Sequence, residues 1–91
     1  MKLYIVTGEP SGDLHAANLV NELKKLNNNL SVRAWGGNKL LSEGVKIVKH
    51  IRETSFMGFF EVITNLASIR RNIAFCKKDI IQFQPEAIVL V

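Results

Sequence analysis

The stretch KLYIVTGEPSGDLHAANLV, residues 2–20, changes its hydrophobic period part-way along. Residues 2–7 are apolar without alternation and stop at a glycine, the pattern of a strand buried on both faces. From residue 13 apolar side chains recur every three or four positions, at Ala16, Leu19, Val20, Leu23 and Leu26. That spacing predicts one face of a helix over 13–27, stopped by Asn27, Asn28 and Asn29. A strand passing through a glycine turn into a helix opens a βαβ unit, whose next strand runs parallel to the first.

The rest of the chain continues in kind. SVRAW at 31–35 reads as a second strand, closed by Gly36 and Gly37, and NKLLSE at 38–43 as a helical turn. VKIV at 45–48 is a short third strand and EAIVLV at 86–91 a fourth. Between them residues 58–83 are helical in character, but one straight helix would put Arg70 and Lys77 on the stripe of Phe59, Val62, Ile63 and Leu66. A break near Ala67 and Ser68 relieves this. The second piece then buries Ile69, Ile73, Cys76, Ile80 and Phe83 and ends before Pro85. The order β-α-β-(α)-β-α-β with non-alternating apolar strands predicts an α/β fold, a Rossmann-like parallel sheet with flanking helices. Ligands of such sheets bind outside the carboxyl ends of the strands, where the glycine turn lies.

At 91 residues with 47% hydrophobic side chains, the chain forms one small core and buries a modest fraction of its surface. Twelve basic against eight acidic residues give a net +4, which favours anionic partners. With one cysteine, Cys76, there is no disulfide framework and no cysteine zinc site, and His50 has no partner at metal-ligand spacing. No metal or cofactor is expected. No run approaches the roughly 20 apolar residues of a membrane-spanning helix, and the N-terminus is too short in its apolar part for a signal peptide. A cytoplasmic chain follows. It stops at PEAIVLV, inside a strand, whereas domains usually end in polar, exposed segments. The expectation is a segment of a longer protein.

The loop GEPSGD at 8–13 is neither a P-loop nor a G-x-G-x-x-G turn. A helix N-terminus attracts anions, yet Glu9 and Asp13 already place two carboxylates there. Two like charges about 5 Å apart repel by roughly 3 kcal/mol at an effective dielectric near 20, and no lysine follows to offset a phosphate. A neutral polyhydroxyl ligand suits the loop better, because carboxylates accept hydrogen bonds from sugar hydroxyls and glycines let backbone come close. A carboxylate here could also act as a general base. For Asp13 two readings stand: a catalytic carboxylate, or a charge complementing the dipole of its own helix with Ser11 as N-cap. Glu9 has no capping duty at a strand end and reads as functional. His15 reads as a surface histidine and Cys76 as core.

GEPSGDLHAANLV resembles the opening signature of the lipid-A-disaccharide synthases, a G-E-x-S-G-D loop followed by a helix of small residues. AWGGNKLLSEGV, SFMGFFEVI and FQPEAIVLV are similar to later segments of that family, in the same order, so the resemblance runs the length of the chain. It implies an inverting glycosyltransferase of two-domain, GT-B-like architecture. Such enzymes join UDP-2,3-diacylglucosamine to 2,3-diacylglucosamine 1-phosphate, releasing UDP and the β-1,6-linked lipid A disaccharide 1-phosphate. They act on the inner face of the cytoplasmic membrane of Gram-negative bacteria and use no known cofactor. Members are several times longer than this chain. The resemblance makes it the front part of the N-terminal, acceptor-side domain, without the UDP-binding half and without the family's candidate base, and so inactive alone. It implies Glu9 and Asp13 as catalytic carboxylates, with Gly8, Ser11 and Gly12 lining the cleft. Met57, Gly58 and Glu61 would lie near the acyl chains. Pro10 stands where the family often has threonine.

Residues 62–78 carry Arg70, Arg71, Lys77 and Lys78 and no acid. Arg71, Phe75 and Lys78 fall together opposite the apolar stripe, and Phe59 and Phe60 precede them. Basic residues around an aromatic mark a helix lying on anionic lipid; the alternative is an ordinary solvated face. The expected membrane-contact set is therefore Phe59, Phe60, Arg70, Arg71, Phe75 and Lys78. Two other functions compete: a nucleotide-sugar enzyme with a different acceptor, and a non-enzymatic flavodoxin-like binding module. A nucleic-acid partner is disfavoured, since the basic residues sit on one helix without stacking platforms.

Overall fold

The computed structural model describes residues 1–54 and 66–91, with Glu53 and Thr54 described by backbone alone. Four strands, β1 (Lys2–Val6), β2 (Ser31–Gly36), β3 (Lys46–His50) and β4 (Ala87–Leu90), form one parallel sheet in the order β3-β2-β1-β4. Leu3 pairs with Val32 on one side and Ala87 on the other. The helices are α1 (Pro10–Leu26), α2 (Asn38–Ser42), α3 (Ile51–Thr54) and α4 (Leu66–Phe83). This is the expected Rossmann-like α/β arrangement. The chain winds from β1 towards β3, then returns to add β4 on the far side of β1. The sheet therefore has a topological switch point between the carboxyl ends of β1 and β4, the place where open α/β sheets bind ligands.

Side chains alternate across a strand, so β1 and β2 serve both faces. Ile5 and Ala34 meet Ala16, Ala17 and Val20 of α1, Leu40 of α2 and Val45 in a closed apolar core. Small residues on α1 let that helix lie close to the sheet. Tyr4, Arg33 and Trp35 point to the other face, towards α4.

That face corrects the expected stripe on α4. No residue of α4 is fully buried: Ile69, Cys76, Ile80 and Phe83 are half-buried, and Ile73 is exposed. The sheet surface beneath is polar and aromatic, and it holds α4 by directed bonds. Trp35 Nε1 donates to the Tyr4 hydroxyl at 3.0 Å, and that hydroxyl donates to Asp79 Oδ2 at 2.8 Å. Arg33 Nη1 donates to Asp79 Oδ1 at 2.9 Å, and its guanidinium lies 4.6 Å from the Phe83 ring. The helix is described from Leu66, with Ala67 and Ser68 in its first turn; the piece expected before them lies outside the described residues. α4 ends at Phe83, with Gln84 in the left-handed region (φ 53°) and Pro85 behind it.

The Tyr4 phenol is pushed well above its ordinary value of 10.0, first by burial, then by its hydrogen bond to Asp79 and by the nearby charges. Burial likewise raises the Cys76 thiol, a rise that its hydrogen bond to Tyr4 partly opposes. Both groups favour the neutral form in the folded state. Above pH 10 the unfolded chain then binds fewer protons than the folded one, so stability falls as pH rises. The chain has one tyrosine, so phenolate absorbance reads it directly. It should stay unionised through pH 10 and ionise only together with loss of the far-UV signal. Ionisation near pH 10 with the fold intact would refute the network.

Candidate functional site

The glycine loop sits at the switch point. Thr7 continues β1: its N–H and Oγ1 both donate to the Trp35 carbonyl, at 2.8 and 3.0 Å. Gly8, Glu9, Pro10 and Ser11 are exposed; Gly12 and Asp13 are buried. A Cβ on Gly12 would stand 3.3 Å from Thr7 Cβ and 3.4 Å from the Val91 carbonyl, so glycine lets the start of α1 approach the ends of β1 and β4.

The helix begins three residues earlier than its apolar stripe suggests. Proline is favoured at the first helical position because its fixed φ suits a helix and its missing N–H would be unbonded there. Pro10 takes that place, with Glu9 as the extended N-cap residue and the Asp13 N–H bonded to the Glu9 carbonyl at 3.0 Å. Ser11 is therefore inside the helix and not its N-cap. The Glu9 side chain makes no cap hydrogen bond.

Asp13 caps a different helix. Its Oδ1 accepts the N–H of Gly37 at 2.8 Å and of Leu40 at 3.2 Å, and its Oδ2 accepts that of Lys39 at 3.0 Å. The first turn of α2, whose N-cap Gly37 has no side chain, thus receives its acceptor from α1. This explains Gly36 and Gly37. A Cβ on Gly37 would lie 2.7 Å from Asp13 Oδ2, and one on Gly36 would collide with the Leu40 side chain. Sequence reasoning sought Asp13's partner on its own helix and missed this one. The available signal was a helical turn opening on two glycines, which needs a borrowed acceptor.

The two loop carboxylates are therefore unequal. Asp13 is 4% exposed and bonded to three backbone N–H groups; Glu9 is exposed. Beside Gly8 a cavity of about 340 Å³ opens between the strand ends and α4. Val6, Trp35, Ile69, Ile73 and Cys76 make it apolar, and Asn72 is its polar margin. Among the described residues no three His, Cys, Asp or Glu side chains gather as a metal site.

Of the basic helix residues, Arg70, Arg71 and Lys78 are exposed. Phe75 is 43% exposed, and its ring lies 6.2 Å from that of Trp35, so part of it rests on β2. Met57, Gly58, Phe59, Phe60 and Glu61 lie outside the described residues. Among the described residues no helix is long and apolar enough to cross a membrane.

The family model for lipid-A-disaccharide synthetase matches residues 3–91. The chain belongs to this family. It is 34% identical over 92 residues to the lipid-A-disaccharide synthase of Paramagnetospirillum magneticum, covering 100% of this chain and 24% of that protein. It is 32% identical over 90 residues to that of Geobacter sulfurreducens and 30% over 89 to that of Chromohalobacter salexigens, covering 99% and 98% of this chain. The chain spans 23% of the length of each of these two relatives. As a member of the lipid-A-disaccharide synthase family, the chain places the glycine loop within the matched residues, between β1 and α1.

Proposed function

We propose that these residues form the acceptor side of the N-terminal domain of a GT-B-like glycosyltransferase, completed by a UDP-sugar-binding domain beyond residue 91. The reaction joins UDP-2,3-diacylglucosamine and 2,3-diacylglucosamine 1-phosphate with inversion, and the segment alone is inactive. One observation carries the reading most directly: an exposed carboxylate, Glu9, directly follows Gly8, which lines an apolar cavity over the carboxyl ends of β1 and β2. A sugar bearing acyl chains needs both. The Glu9 carboxylate accepts the hydrogen bond of the acceptor 6-hydroxyl and orients it. As the hydroxyl oxygen bonds to the anomeric carbon of the donor, the carbon–oxygen bond to UDP breaks, its electron pair leaves with UDP, and the hydroxyl proton passes to a carboxylate. Asp13 is a positioning residue in this scheme, holding α2 against the loop, while Gly8, Ser11 and Gly12 line the cleft. Met57, Gly58 and Glu61 serve the acyl chains. Phe59, Phe60, Arg70, Arg71, Phe75 and Lys78 rest on the anionic inner face of the cytoplasmic membrane.

The test is an assay of the polypeptide that carries these residues, joined to its donor-binding half. Equimolar UDP and disaccharide 1-phosphate are expected. Transfer to an acceptor without acyl chains at an equal rate would favour the different-acceptor enzyme instead.

A further inference from the structure

The apolar cavity has a neighbour. A second recess of about 360 Å³ is lined by Lys49, Ser68, Arg71, Asn72 and Phe75, and the two share Asn72. Lys49 comes from the carboxyl end of β3, paired with Trp35 of β2, and its ammonium lies 5.2 Å from the Phe75 ring centre. Arg71 comes from α4, where its Nη2 donates to Ser68 Oγ at 3.3 Å. Among the described residues the ion pairs are Lys24–Glu43, Lys25–Glu22 and Arg33–Asp79, so neither Lys49 nor Arg71 is matched by a carboxylate there.

Two cations with hydroxyl and amide donors beside them form a recess for a tetrahedral oxyanion, since charge-assisted hydrogen bonds are the strong ones. The apolar cavity next to it has the volume of a ligand pocket, about 300–1,000 Å³, and its one hydroxyl, on Thr7, is already donated to the Trp35 carbonyl. Neither recess suits the occupant of the other. We infer that the pair binds one molecule, a phosphorylated acyl lipid, with its phosphate between Lys49 and Arg71 and its acyl chain against Trp35, Ile69 and Ile73. This rests on the proposed function and deepens it, giving Arg71 to the recess in place of the bilayer surface. Glu9 repels phosphate, so a bound acceptor is oriented with its hydroxyl end at Glu9 and its phosphate end at Lys49.

Trp35 is the chain's one tryptophan and lines the apolar cavity, so its fluorescence reports occupancy. Dodecyl phosphate, kept monomeric, is titrated into the 91-residue chain beside dodecyltrimethylammonium, inorganic phosphate and phosphatidylglycerol vesicles. Saturable change with dodecyl phosphate is expected, about tenfold or more tighter than with the cationic amphiphile, and no change of Trp35 with inorganic phosphate. Arg71→Gln, at an exposed position, should weaken dodecyl phosphate about tenfold and leave the cationic amphiphile unchanged. Ile73→Asp should weaken both. Equal binding of the two amphiphiles, an unaffected Arg71→Gln, or a response to vesicles alone would overturn the inference. Failure is separable from failure of the proposed function: loss of transfer with dodecyl phosphate binding intact tells against the reaction and leaves the lipid site standing.

Discussion

Asp13→Ala should lower the stability of the chain by about 3 kcal/mol. A lost N-cap costs about 1 kcal/mol, and a buried donor left without a partner costs about 1–3 kcal/mol. Here one substitution does both, because the N–H groups of Gly37 and Leu40 are buried and have this carboxylate as acceptor. For a domain of this size, about 3 kcal/mol corresponds to roughly 12–24 °C in Tm. Asp13→Asn should fall between, at about 1–2 kcal/mol. One oxygen still accepts two bonds, but an amide NH2 then meets a backbone N–H. Gly37→Ala should mimic the defect from the other side, since its Cβ would press within 2.7 Å of Asp13 Oδ2. Urea denaturation reads all three. If Asp13→Ala changes stability by less than about 0.5 kcal/mol, the range of an ordinary surface substitution, the carboxylate does not hold α2.

The elements of this fold were legible wherever hydrophobic period spoke alone. β1 and α1 announce themselves by the change from continuous to helical spacing, and β4 by its apolar run. What a one-dimensional pattern loses is the identity of the opposing surface. The apolar stripe on α4 was visible, but Asp79 lies on the same side and bonds Tyr4 and Arg33, residues separated from it by 75 and 46 positions. An arginine inside the apolar run SVRAW was the one hint of a charged partner under a helix. The start of α1 was misplaced because the stripe begins only where the helix meets the core, while Pro10 sets the backbone first.

The site divides in the same way. The loop and its place at the strand end followed from local chemistry. The duty of Asp13 did not, because its partners lie 24 to 27 residues away and the contact exists only through the missing side chain of Gly37. That finding also softens the expected repulsion at the loop. One of its two carboxylates faces three N–H dipoles, so the field at the cleft is that of Glu9 with much of Asp13 compensated.

Glu9→Gln should therefore separate chemistry from folding more cleanly than any change at Asp13. Glu9 is exposed and makes no cap bond, so stability should move by less than about 0.5 kcal/mol. In the polypeptide carrying the donor half, kcat should fall about 10²- to 10⁴-fold, the usual contribution of a positioned acid or base, or about 3–5 kcal/mol of barrier. KM should change little, because glutamine still hydrogen-bonds a hydroxyl but takes up no proton and carries no charge to stabilise one leaving. A fall in kcat/KM carried wholly by KM would make Glu9 a binding group. An unchanged kcat would move the proton-accepting role to a carboxylate beyond residue 91 and leave this loop with the task of shape: two glycines and a proline that bring the acceptor's sugar to the end of β1.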